Sequence, residues 1–222
     1  MKHPATMKWS TEWPSVTFIV LSVIAAFYFY ANFPERVPTH WNFAGEIDGY
    51  SGSFFGAWFM PAMIIGMYLL FLGLPYIDPK KGHYAGFIKS YHGIKNVMVA
   101  FMFILYMAMG AAGLGYDISV GGLIPIGVGL FFVCIGYYIK NVEQNWAMGV
   151  RTPWTMESAT VWKKTNHLMA GLMMVAGVMI ASCAYPFPEM VKAVIFISAI
   201  ALIVVVPIVY SYFAYRSEQK AK

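Results

Sequence analysis

Six long apolar runs, separated by short polar stretches, dominate this chain. A membrane-spanning helix needs about 20 mostly apolar residues, and each run is close to that length. Because lipid offers the backbone no hydrogen-bond partners and the runs lack strict alternation, they predict helices rather than barrel strands. The pattern therefore predicts an all-α integral membrane protein with six transmembrane helices. The runs are Pro14 to Phe33, Phe54 to Tyr76, Ile94 to Tyr116, Gly121 to Ile139, Leu168 to Tyr185 and Met190 to Tyr210.

The composition agrees with a membrane protein. Apolar residues make up 59% of the chain and charged residues 11%, which excludes the ordinary soluble class. Lys2 and Lys8 precede the first run as they would in a secretory signal. The run is longer than a signal core, and no convincing cleavage site follows it. We therefore expect it to stay as the first transmembrane helix.

The basic residues predict an orientation. In a six-helix arrangement, all of the 15 basic residues except Arg36 and Lys192 fall on one side. Basic residues in short loops favour the cytoplasmic side, so both termini are predicted to be cytoplasmic in a cell membrane. The net charge of +5 reflects this asymmetry and indicates contact with anionic membrane lipids rather than direct binding of nucleic acid.

A polar stretch at positions 140–165, on the predicted inner side, carries one candidate site. Arg151 can bind a carboxylate or phosphate with its planar fork and can stack on Trp154, while Pro153 fixes the turn. Thr155 resembles a helix N-cap with Glu157 in the first turn. The candidate residues for binding a ligand or partner are Asn145, Gly149, Arg151, Thr152, Pro153, Trp154, Thr155 and Trp162.

An alternative interpretation of this stretch is a membrane anchor. Trp146, Trp154 and Trp162 would then lie at headgroup depth, with Arg151 on a lipid phosphate. The two interpretations do not exclude each other.

A second polar block, at positions 34–53, lies on the predicted outer side. Its candidate binding residues are Arg36, Pro38, His40, Trp41, Asn42 and Asp48. His40, Asn42, Glu46 and Asp48 could also converge on a metal or act as an acid and base. No second histidine completes a usual ligand set, so a structured loop is the favoured interpretation. We predict no metal, no cofactor and no catalytic residue.

Ionisable residues cluster at the ends of the predicted spans. Proton-coupled carriers place such groups inside the bilayer, so the pattern weakens a transport role. His92 and Lys95 are expected near the inner face, where they could contact Glu143. Cys134 and Cys183 are predicted at different depths, which excludes a disulfide, and both are expected to be buried free thiols.

The two polar blocks resemble known sequences. The inner residues, from Asn145 through Arg151-Thr152-Pro153-Trp154-Thr155 to Trp162, resemble the cytoplasmic signature of the SdpI family of integral membrane proteins. The outer block, with Pro34, Pro38, His40, Trp41 and Asn42, resembles the N-terminal module that many of these proteins carry. The resemblance predicts a two-helix module over 14–77 and an SdpI-like four-helix region over 94–212.

This resemblance implies immunity to a secreted peptide toxin. In some relatives it also implies that a cytoplasmic repressor is held at the membrane for signalling. The toxin could be recognised by the outer block or, within the bilayer, by the Met-rich and small-residue faces of the helices. Two rival functions remain: a transporter of a small solute or lipid, and a membrane enzyme with a metal site in the outer loop.

Overall fold

The computed structural model describes residues 8–42 and 44–221; Lys2 and Lys222, which contribute to the charge asymmetry, lie outside these ranges. Six of its helices are long and apolar enough to cross a membrane, which confirms the predicted fold class. A short helix, α5, lies between the fourth and fifth of them. The helices are α1 (Trp9–Asn32), α2 (Ser53–Ile77), α3 (Tyr84–Gly113), α4 (Val120–Ile139), α5 (Pro153–Glu157), α6 (Ala159–Ser182) and α7 (Glu189–Lys220).

Four helices extend beyond their apolar runs toward the predicted inner side. Helix α1 begins at Trp9 rather than Pro14, α3 at Tyr84 rather than Ile94 and α6 at Ala159 rather than Leu168. Helix α7 continues to Lys220. The 32 residues of α7 span about 48 Å at 1.5 Å per residue, against about 30 Å of hydrocarbon. The apolar pattern marks only the part of a helix that lies in lipid, so polar end turns were missed.

The outer block forms a β-hairpin, which the sequence analysis did not predict. Strands β1 (Arg36–Trp41) and β2 (Ile47–Gly52) pair antiparallel. Pro38 in β1 and Gly49 in β2 belong to residue types that are depleted in strands, so the strand signal was weak. The fold is thus a six-helix membrane bundle that carries a small two-stranded sheet at one end.

Small residues set the closest helix contact. A Cβ atom added to Gly129 of α4 would lie 2.4 Å from the carbonyl oxygen of Gly177 in α6 and 2.7 Å from the Cβ of Ala181. Side chains larger than hydrogen at these glycines would separate the helices. Small residues such as Gly177 and Ala181 let helices approach closely in lipid.

Both cysteines are free, but only Cys183 is buried. The prediction was wrong for Cys134, whose side chain lies on the exposed face of α4. Because α4 is apolar on all sides, its sequence does not tell the face that meets lipid from the face that meets other helices.

Candidate functional site

The hairpin is seated directly on the helices by small residues. Val37 of β1 is fully buried, and a Cβ atom on Gly56 or Gly113 would lie 3.2 Å or 2.9 Å from its side chain. At the hairpin turn, Gly45 has a φ of +86°, and an added Cβ would lie 2.9 Å from the Cα of Gly121. The hairpin therefore covers the ends of α2, α3 and α4.

The polar side chains of the outer block form two separate pairs. His40 Nδ1 lies 2.5 Å from Asp48 Oδ1, and Asn42 Nδ2 donates to Glu46 Oε2 at 3.1 Å. Across the described residues, no three His, Cys, Asp or Glu side chains are grouped to hold a metal ion. Of the other predicted outer residues, Arg36 lies over the Tyr50 ring, 4.8 Å from its centroid.

A cavity of about 730 Å³ lies beneath the hairpin and reaches helices α2, α3, α4, α6 and α7. Four of the predicted outer residues, His40, Trp41, Asn42 and Asp48, line it. Pro38, also predicted, is buried in the hairpin. The hairpin thus brings most of the predicted outer residues to one binding-sized space.

The helices supply the rest of the cavity wall, which the sequence analysis missed. Its surface is mostly apolar and includes Met60, Leu105, Ile124, Val128, Ile180 and Phe196. Glu189 and Lys192 add charges from the start of α7. Cys183 also faces the cavity. Within apolar helices, no sequence signal separates cavity-lining residues from lipid-facing ones.

The predicted inner residues lie in a compact loop that we call the inner hub (residues 140–165). Asn145 is fully buried; its side-chain oxygen accepts from the backbone N–H groups of Ala147 and Met148, both at 2.8 Å. Gly149 has a φ of +110°, a conformation that favours glycine. Val150 N–H then donates to Asn166 Oδ1 of α6 at 2.8 Å. These contacts fix the shape of the loop.

Thr152, not Thr155, caps the short helix α5, so the predicted cap was one turn late. Thr152 Oγ1 accepts from Thr155 N–H, and Thr155 Oγ1 accepts from Thr152 N–H at 2.9 Å, a reciprocal capping box. Pro153 occupies the first helical turn, where its missing N–H costs nothing. Ser158 then caps α6 separately: its side chain accepts from Val161 N–H, so α5 and α6 are two helices.

In the inner hub, the contacts of Trp162, Trp154 and Arg151 differ from the predicted ones. Trp162 is buried and donates from Nε1 to the Val142 carbonyl at 2.8 Å, so it is a core residue rather than an anchor at headgroup depth. Trp154 packs edge-on against Tyr212 of α7, with ring centroids 5.2 Å apart. The exposed Arg151 guanidinium donates to the Trp146 carbonyl. The predicted stacking of Arg151 on Trp154 is replaced by these two contacts.

Residues that the sequence analysis did not select tie the inner hub to the turn before α3. Asp78 accepts from Trp146 N–H at 2.9 Å and from Tyr84 Oη at 2.8 Å. Lys80 Nζ donates to Gln144 Oε1 at 2.7 Å. The partners are more than 60 positions apart in sequence, so no local pattern could have indicated them.

A buried ion pair joins α1 and α3 at the predicted inner ends of their apolar runs, where ionisable groups were expected. Lys95 of α3 is fully buried and pairs with Glu12 of α1. Tyr68 of α2 donates to Glu12 Oε2 at 2.9 Å, and His92 Nδ1 lies 3.5 Å from Glu12 Oε1. Glu143, the predicted partner of His92 and Lys95, lies instead beside Gly86, nearer the beginning of α3.

The six helices that are long and apolar enough to cross a membrane, together with the many large apolar side chains exposed on them, define a multi-pass membrane protein of the cell membrane. Residues 141–211 match the model of the SdpI/YfhL protein family, and this match spans the inner hub, α6 and most of α7. Residues 17–65 match a domain of unknown function, DUF1648. The family resemblance drawn from the sequence is confirmed.

A curated relative extends the similarity to most of the chain. The immunity protein SdpI of Bacillus subtilis (strain 168) is 27% identical over 202 residues, which cover 91% of this chain and 94% of the relative. No solved structure matches the chain.

Proposed function

We propose that this chain is an immunity-type membrane protein that protects its cell from a secreted antimicrobial peptide by binding, not by catalysis. The observation that carries the proposal is the similarity to a protein named for immunity, which extends over nearly the full length of both chains. A cavity of about 730 Å³ beneath the hairpin supplies a place where a ligand from the predicted outer side could bind.

Expression in a sensitive strain tests the proposal. Cells that carry the chain should survive a dose of the cognate secreted peptide that kills cells with the empty vector. Membrane abundance is measured in the same cultures, because a chain that fails to insert cannot protect. Equal killing of both strains at verified abundance would contradict an immunity function.

A more specific prediction than immunity is a signalling role, in which the inner hub holds a cytoplasmic repressor. The predicted hub residues available at the surface are Arg151 and Pro153, with Gly149 and Trp154 partly exposed, because the other four are buried in internal contacts. We expect Arg151→Lys, which loses the bidentate fork, to retain less repressor in a membrane pull-down than the control Lys163→Met. If both variants capture the same amount of repressor at equal abundance, Arg151 does not bind the repressor and is interpreted as a lipid contact.

The buried Glu12 and Lys95 pair favours a transporter as the second candidate function, since ionisable groups within a bundle often mark solute pathways. The space beside this pair measures about 10 Å³, which is barely one water. Solute flux above that of empty proteoliposomes would favour transport over immunity.

A further inference from the structure

We propose that the cavity beneath the hairpin binds an apolar segment of the peptide toxin that has a positively charged group beside it. This inference rests on the proposed immunity function and names the chemistry that the cavity recognises. It also joins the two recognition sites predicted as alternatives, because outer-block residues and helix residues line the same space.

The size and surface of the cavity fit an apolar chain. Ligand sites usually measure about 300–1,000 Å³ and are lined mainly by apolar side chains with a few polar groups, as this one is. Met60 and Met109 contribute flexible thioether side chains to the wall, and such side chains adapt to irregular partners. An apolar peptide segment would replace water or lipid along this wall.

The hairpin backbone favours a peptide over a lipid chain. Consecutive residues from Thr39 to Asn42 line the cavity. The pairing of β1 with β2 shifts between Pro38 and His40 and again between His40 and Trp41, so Thr39 has no opposite residue in the backbone ladder, although its hydroxyl lies 3.0 Å from that of Ser51. Such irregular pairing leaves backbone groups unpaired, and an extended peptide can bond to them as an added strand does. An acyl chain cannot.

The charges at the cavity favour a cation. The carboxylates of Asp48 and Glu189 and the ammonium group of Lys192 line the cavity, so with histidine counted as neutral their formal charges sum to minus one in a chain whose net charge is +5. A phosphate headgroup would meet two carboxylates there, whereas an ammonium group would be attracted. His40, which hydrogen-bonds Asp48, orients one of these carboxylates.

The two free cysteines allow a direct test on the purified full-length protein in detergent. Cys183 lines the cavity, while Cys134 lies exposed on α4 and serves as an internal control. The probe is the synthetic hexapeptide Lys-Leu-Ala-Leu-Ala-Leu, and a small thiol reagent reports access to each cysteine by peptide mapping. We expect the probe to slow modification of Cys183 by about tenfold and to leave Cys134 unchanged.

Two comparisons test whether the cavity prefers a positively charged group. The same peptide with Glu in place of Lys should protect Cys183 less, and Asp48→Lys combined with Glu189→Lys should reverse that preference. Absence of protection by the Lys peptide, or an equal effect of both peptides, would overturn the proposal. Stronger protection by added phosphatidylglycerol than by either peptide would identify a lipid site and also overturn it.

A cavity-filling variant separates this inference from the proposed function. Ile124 lines the cavity, whereas Ile126 on the same helix is 44% exposed and does not line it. Ile124→Trp should abolish the effect of the probe peptide in binding assays, and Ile126→Trp should retain it. If wild-type cells survive the toxin but Ile124→Trp cells survive equally, the cavity inference fails and immunity stands. If the probe binds but wild-type cells die, immunity fails and the cavity site stands.

Discussion

The two ends of the bundle differ in how they use their polar residues. At the predicted outer end, the hairpin leaves a cavity of about 730 Å³ with charged groups at its wall. At the predicted inner end, four polar or aromatic residues are buried and form hydrogen bonds within the protein: Asn145, Thr152, Thr155 and Trp162. Under the proposed function, the outer end receives a ligand and the inner end holds the helices together, with Arg151 exposed at its surface.

The comparison requires that the hairpin lie outside the cell and the inner hub inside it. The labelling test of this orientation should give a nearly all-or-none difference. In a background of Cys134→Ser and Cys183→Ser, a cysteine at the exposed Glu35 should react with a membrane-impermeant thiol reagent added to intact cells. A cysteine at the exposed Ala159 should react only after the membrane is opened. The opposite labelling would exchange the outer and inner ends, and a toxin from outside would then meet the inner hub.

The largest stability effect is expected at the buried ion pair. Lys95→Met leaves the Glu12 carboxylate buried without its cation, which costs about 3–5 kcal/mol, so thermal unfolding in detergent should occur at a much lower temperature. Adding Glu12→Gln to Lys95→Met should restore most of the loss, because no unpaired charge remains. Lys89→Met, at an exposed position on the same helix, is the control. If the double variant is as unstable as Lys95→Met, the loss of stability does not come from an unpaired Glu12 charge alone.

A smaller loss is expected in the inner hub. Asn145→Ala leaves the partly buried N–H groups of Ala147 and Met148 without their acceptor, which costs up to the roughly 1–3 kcal/mol of an unsatisfied buried group. The neighbouring Asn141→Ala, at an exposed site, should change the unfolding temperature little. Equal effects of the two variants would mean that the hub is not held by this side chain.

The sequence predicted those parts of the molecule whose signal is local. Helices in lipid were predictable because each must supply about 20 apolar residues, and the hub was selected because its Asn, Gly, Pro and Trp residues lie close together. The hairpin was missed because Pro38 and Gly49 weaken its strands. The Glu12 and Lys95 pair was missed because 83 positions separate the two residues and only packing brings them together.

The same reasoning explains the partial prediction of the candidate site. His40, Trp41, Asn42 and Asp48 could be selected because they stand in a polar loop between apolar runs. Ile124 could not, because it resembles its lipid-facing neighbour Ile126 in every local property. Only the packing of α4 under the hairpin distinguishes the two residues.

Survival of toxin-challenged cells that carry Ile124→Trp or Ile126→Trp tests the central claim most directly. The dose of the cognate peptide that kills half of the cells is measured for both variants, for wild type and for the empty vector, at matched membrane abundance. We predict that Ile124→Trp cells die at the dose that kills vector cells and that Ile126→Trp cells survive as wild type does. Full protection by Ile124→Trp would contradict recognition in the cavity beneath the hairpin.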